Sequence, residues 1–136
     1  VLRDDNGAII FSSCRAHFSC RDVLEAELCA CMEGLSLAIQ RTELPIIVEM
    51  DSMVAMKMIQ AQGVDRSLYS AIVREIQYLL SLRRTCITFA SRSQNKVSDS
   101  LASFARIEGR NMTWFGSGPS VAIELALADC NPFISE

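Results

Sequence analysis

Apolar and polar positions alternate in recognisable periods along most of the chain. Leu2 and Arg3 lead into Asp4-Asp5-Asn6-Gly7, whose Asn-Gly favours a tight turn, and Ala8 to Cys14 follow as an apolar, strand-like run, so a β-hairpin is expected. From Asp22 onward, Val23, Leu24, Leu28, Cys31, Met32, Leu35, Ala38 and Ile39 recur at helical spacing and predict a helix of about five turns, with Asp22 placed to cap it. Pro45 introduces Ile46-Ile47-Val48-Glu49-Met50 as a strand. Asp51-Ser52 then opens a helical pattern through Val54, Met58 and Ile59. After Gly63, Ser67 is placed to cap an amphipathic helix marked by Leu68, Ile72, Ile76, Leu79 and Leu80. Thr85 to Phe89 reads as a strand. The polar loop Ser91 to Asn95 hands over to a helix with Val97, Leu101, Phe104 and Ala105 on one face. Beyond Gly109 the pattern weakens. Trp114, Phe115 and Gly116-Ser117-Gly118-Pro119 precede a short helical stretch from Ser120 to Ala128, expected to pack on the body as a tail.

Two antiparallel strands followed by alternating helices and strands describe an α/β protein, a mixed sheet flanked by helices. With 136 residues, half of them apolar, the chain fits one domain with a core of its own. The six cysteines include no C-x-x-C pair and the one histidine, His17, has no partner at ligand spacing, so buried, reduced thiols in a reducing compartment are expected. No apolar run approaches the ~20 residues that span a bilayer. The opening on Val1 instead of methionine suggests a piece of something longer.

Net charge is −3, but its distribution is uneven. Residues 66–96 carry six basic side chains against Glu75 alone, a local +5. Arg66, Arg74, Arg83, Arg84, Arg92 and Lys96 are therefore either a surface that faces phosphates or a solvated helix face.

Three carboxylates stand where elements meet. Glu27 falls near one border of the apolar stripe of the first helix, although Glu25 falls at the opposite border and periodicity does not choose between them; Glu33 falls on the solvent side. Asp51 ends an apolar strand, an address that suits a ligand site and equally a helix cap. Asp99 lies in the first turn of a helix, where an acid is favoured by the macrodipole with or without a function.

Ala26-Glu27-Leu28 with Glu33-Gly34-Leu35, Glu49-Met50-Asp51-Ser52, and Arg92-Ser93-Gln94-Asn95-Lys96-Val97-Ser98-Asp99 resemble, in that order, three motifs of the plant reverse-transcriptase-like ribonuclease H domains, retroelement-derived relatives of type 1 ribonuclease H. The resemblance covers nearly the whole chain, with residues 1–109 as the ribonuclease H-like domain and 110–136 as its tail. It implies that Glu27, Asp51 and Asp99 converge as catalytic, metal-binding carboxylates and that Ser52, Arg92, Asn95 and Lys96 contact nucleic acid. Two Mg²⁺ or Mn²⁺ ions ~4 Å apart would be the cofactors and an RNA–DNA hybrid the partner. The expected product is RNA cut within the hybrid, leaving a 3′-hydroxyl. The expected form is a monomer or part of a longer polypeptide, in the nucleus or cytoplasm, away from membranes.

Two departures qualify the resemblance. The family's first strand and its metal-binding aspartate would precede Val1, and Asp4 and Asp5 sit in the turn instead. Phe89 stands ten residues before Asp99, where the family usually has a histidine. Three readings follow: a metal-dependent hybrid nuclease, a catalytically silent nucleic-acid-binding or assembly domain, and a phosphoacceptor receiver domain suggested by Asp4-Asp5 with Asp51. The receiver needs its acidic pair at a strand end before a helix, which the Asn6-Gly7 hairpin opposes.

Overall fold

The computed structural model describes residues 1–14, 19–91, 93–94, 96–116 and 118–129. In chain order the elements are β1 (Leu2–Arg3), β2 (Ile9–Cys14), α1 (Val23–Arg41), β3 (Ile46–Met50), α2 (Met53–Gln60), α3 (Ser70–Ser81), β4 (Thr85–Phe89), α4 (Lys96–Glu108), β5 (Met112–Phe115) and α5 (Ser120–Asp129). This is a mixed α/β protein, consistent with a ribonuclease H-like fold. Among the described residues the antiparallel and parallel pairings fall in two sheets, ordered β1-β2-β5 and β3-β4. The chain divides into two compact units, 17–91 on one hand and 1–16 with 92–136 on the other.

In the unit formed by 1–16 and 92–136, the hairpin turn is built by Asp4. Its carbonyl accepts from Gly7 N at 3.0 Å and its Oδ1 accepts from the backbone of Asn6 and Ala8, both at 2.9 Å. Gly7 takes φ 82°, which a side chain would resist, and the ladder shifts register beside the turn. β2 then pairs antiparallel with β5, from Phe11 opposite Phe115 to Cys14 opposite Met112. The weak pattern after Gly109 conceals this strand, since only four residues contribute and Met112 and Trp114 alone turn inward. Cys14, Val97, Leu101, Ala105 and Ala126 form the core, with Phe104 and Trp114 packed edge to face at 5.6 Å on its border.

In the unit 17–91, β3 and β4 run parallel in register from Ile46 with Thr85 to Met50 with Phe89. The helices α1, α2 and α3 pack against one another around Leu28, Met50, Ala55, Ile59, Val73 and Ile76. Asp22 caps α1 as expected: its backbone is extended and its Oδ1 accepts from Glu25 N at 2.8 Å.

Several expectations fail here for local reasons. Leu68 is 77% exposed and Ser67 caps no helix; α3 begins at Ser70 after a turn in which Ser67 Oγ accepts from Tyr69 N at 3.2 Å. The spacing of Leu68 to Ile72 imitates a helix face, but the hydroxyl offers the backbone an alternative partner. Val23 and Val54 also face outward, because each lies at the first turn of its helix beyond the packed stripe. Glu33 is half-buried instead of solvent-facing. Of the described cysteines only Cys14 is buried; Cys20, Cys29 and Cys31 are half-buried and Cys86, on the outward face of β4, is exposed. Cys130 and His17 lie outside the described residues.

Candidate functional site

Glu27 stands in the second turn of α1 and is half-buried, next to the fully buried Leu28. One helical turn onward, burial pushes the Cys31 thiol up to about 11, and the Glu27 charge adds to the shift. Glu25, which periodicity left as an alternative, has a structural occupation. Its Oε2 accepts from Arg21 N at 2.8 Å while its own N–H donates to Asp22, a reciprocal arrangement like a capping box. The ion pair with Arg21 Nε, at 3.9 Å and well exposed, adds little.

Asp51 follows the last residue of β3 and is half-buried. The cap of α2 is Ser52, whose Oγ accepts from Ala55 N at 3.2 Å, so the cap reading of Asp51 does not hold. Ser52 keeps its hydroxyl proton for donation to a ligand. Asp99 is exposed in the first turn of α4, opposite the buried Val97, Leu101 and Ala105, and Lys96, the first residue of that helix, is exposed as well. Arg92 and Asn95 lie outside the described residues. Glu27, Asp51 and Ser52 thus belong to the unit 17–91, and Lys96 and Asp99 to the other.

The donor chemistry of Glu27, Asp51 and Asp99, all carboxylate oxygen, suits a hard divalent ion. Among the described residues, however, no three His, Cys, Asp or Glu side chains are grouped to hold one.

The basic stretch resolves into different roles. Arg66, Arg74 and Arg84 are exposed. Arg83 is not a free phosphate ligand: its Nη2 donates to Ile39 O at 3.1 Å, one of the carbonyls in the last turn of α1, where a cation is favoured. Its Nη1 is buried without a hydrogen-bond partner among the described residues. Arg74 in turn lies near Asp65, whose carboxyl is held low mainly by hydrogen bonds from Ser67.

One contact had no signal in the pattern. The Tyr69 hydroxyl donates to Asp22 Oδ2, joining the start of α3 to the cap of α1. That bond, followed by the Glu25 N–H, holds the Asp22 carboxyl below its usual range and raises the Tyr69 phenol. Asp4 is equally occupied. Its turn lies in an antiparallel hairpin, with no helix after it, which removes the receiver-domain reading.

A family model described as reverse transcriptase-like matches residues 1–105. No curated protein and no solved structure matches the chain. Among the described residues no helix is long and apolar enough to cross a membrane.

Proposed function

Because the chain belongs to the reverse transcriptase-like family, which is ribonuclease H-like, we propose that it is a retroelement-derived nucleic-acid domain that hydrolyses the RNA strand of RNA–DNA hybrids. The observation that carries this reading is the family match over 1–105, which takes in Glu27, Asp51 and Asp99 together. Under it, these three carboxylates would hold two Mg²⁺ or Mn²⁺ ions. Such ions would offset the mutual repulsion of the acids and would supply positive charge to stabilise the negative charge that develops as a phosphodiester is attacked. The Ser52 hydroxyl donates a hydrogen bond to the backbone of the hybrid. Arg66, Arg74, Arg84 and Lys96 supply exposed positive charge, with Arg92 and Asn95 as further nucleic-acid contacts. Recognition of the RNA strand by its 2′-hydroxyls separates the hybrid from DNA. An intracellular setting, nucleus or cytoplasm, goes with that substrate.

A second reading, a nucleic-acid-binding or assembly domain without cleavage, is favoured by one residue. Phe89 is 47% exposed at the end of β4, where the family-like pattern has a titratable histidine. Phenylalanine neither accepts nor donates a proton, so the step that histidine would assist has no counterpart at this position.

Incubation with a labelled RNA–DNA hybrid separates the two. Cleavage that needs Mg²⁺ or Mn²⁺ and is lost in Asp51→Asn supports hydrolysis. Hybrid binding without cleavage supports the second reading. Equal cleavage in the presence of a chelator rejects the metal-dependent mechanism.

A further inference from the structure

In the unit 17–91 the strands β3 and β4 end side by side. Phe89 is the register partner of Met50, and the pairing is closed just beyond them by Ala90 N, which donates to Met50 O at 2.8 Å. Neighbouring strands lie about 4.8 Å apart, so the backbone of Phe89 stands one strand spacing from the residue that immediately precedes Asp51. Met50 is buried in the core, but Phe89 stays exposed, and so do Met53 and Val54, which begin α2 just after Asp51 and Ser52. An aromatic ring and two aliphatic side chains are thus left in water at the end of the unit that carries Asp51 and the Ser52 hydroxyl. The other exposed aromatic side chains among the described residues lie elsewhere. Tyr78 stands late in α3, near the start of β4, where Thr85 Oγ1 donates to Leu80 O at 3.0 Å, and Phe115 belongs to the other unit.

We infer that Phe89 is a stacking platform for one unpaired nucleotide base beside the Asp51 site, so that a hybrid with a single-stranded nucleotide next to the duplex is preferred over an uninterrupted one. The inference rests on the nucleic-acid reading above, and it applies whether or not the chain cleaves. Within a continuous duplex both faces of each base are covered by its neighbours, so only an unpaired base is free to lie on an aromatic ring. Every base has such a face, which makes the preference one of strand structure and not of sequence. Phe89, Met53 and Val54 carry no charge, so what they offer a nucleotide is a surface for its base; its phosphate falls to the Ser52 hydroxyl. Stacking neutralises no phosphate, and its contribution is therefore independent of salt, unlike that of the arginines.

The full chain is titrated into two labelled RNA–DNA hybrids of equal duplex length, one blunt and one with a single-stranded RNA extension, with a chelator present to hold back metal-dependent cleavage. Fluorescence anisotropy gives Kd at several salt concentrations. The parent is expected to bind the extended hybrid more tightly than the blunt one. Phe89→Ala weakens binding of the extended hybrid about 5-fold or more and brings the two probes level, with the slope of log Kd against log salt unchanged. Tyr78→Ala changes neither. Phe89→Trp retains the preference, and its added indole emission is quenched by the extended hybrid and not by the blunt one; circular dichroism checks that the variants are folded, and Phe89→Trp carries the test should the alanine variant not fold. Equal binding of both probes by the parent, a preference that persists in folded Phe89→Ala, or emission of Phe89→Trp that the extended hybrid leaves unchanged overturns the inference and leaves the nucleic-acid reading standing. Failure of the parent to bind either probe overturns both.

Discussion

Replacing Ser52 by alanine removes the side-chain acceptor of Ala55 N and leaves Asp51 in place. The helix it caps, α2, has only eight residues, so its four unpaired N–H groups are half of its donors. The lost bond is long, at 3.2 Å, and part-buried. Such caps contribute about 1 kcal/mol, and a ceiling of ~2 kcal/mol is set by the strongest measured cases. Fraying of the first turn would also loosen Ala55, which is fully buried in the core of the unit, so a cost in the upper half of that range is expected. For a chain of this length the shift in Tm is roughly 5 to 7 °C. Urea denaturation followed by far-ultraviolet circular dichroism measures the cost, with Ser52→Asp as the variant that restores it, since aspartate also accepts from the third helical N–H. The reasoning fails if Ser52→Ala is as stable as the parent, or if Ser52→Asp is no better than alanine. Either result would hand the cap back to Asp51 and weaken its candidacy as a ligand.

Two further outcomes test the same unit. Leu28→Ala, at a position with no exposure, should cost about 3 kcal/mol, whereas Leu44→Ala, 71% exposed, should stay within about 0.5 kcal/mol in the same denaturation experiment. The Tyr69 to Asp22 bond should give a pH-dependent stability difference between the parent and Tyr69→Phe. Asp22 is lowered by folding, so its contribution is present above its ordinary value of 3.8 and is lost as pH falls through the lower folded value. Tyr69 is raised, so its contribution is complete below 10.0 and is lost as pH rises through the higher folded value. Denaturation across pH should show a plateau between these limits that shrinks at both ends; a difference that ignores pH would remove the bond from the account.

The residues that decide between Glu25 and Glu27 show how much of the site was readable. Asp22 and Glu25 stand at the spacing of a capping box, a local signal that assigns Glu25 to the helix start without any tertiary knowledge. Asp51 and Ser52 are different, because either residue is a competent cap by type. Only the backbone path at the end of β3 places the Ser52 oxygen, and not the Asp51 carboxylate, against Ala55 N. The basic stretch was misread at Arg83 for a related reason: a count of charges carries no record of which cation a helix end draws in.

The chain by itself determined the elements whose signals are short in range. β3 and β4, the N-cap and length of α1, the apolar face of α4, the hairpin turn and the family motifs all rest on periods of two or 3.6 residues and on side chains that bond their own neighbours. What tertiary structure alone decided were matters of distance in sequence. These are the pairing of β5 with β2, the bond from Tyr69 to Asp22 and the carbonyl held by Arg83. No local pattern encodes such contacts, because each depends on where two separately specified elements come to rest when the core closes over Leu28 or Val97.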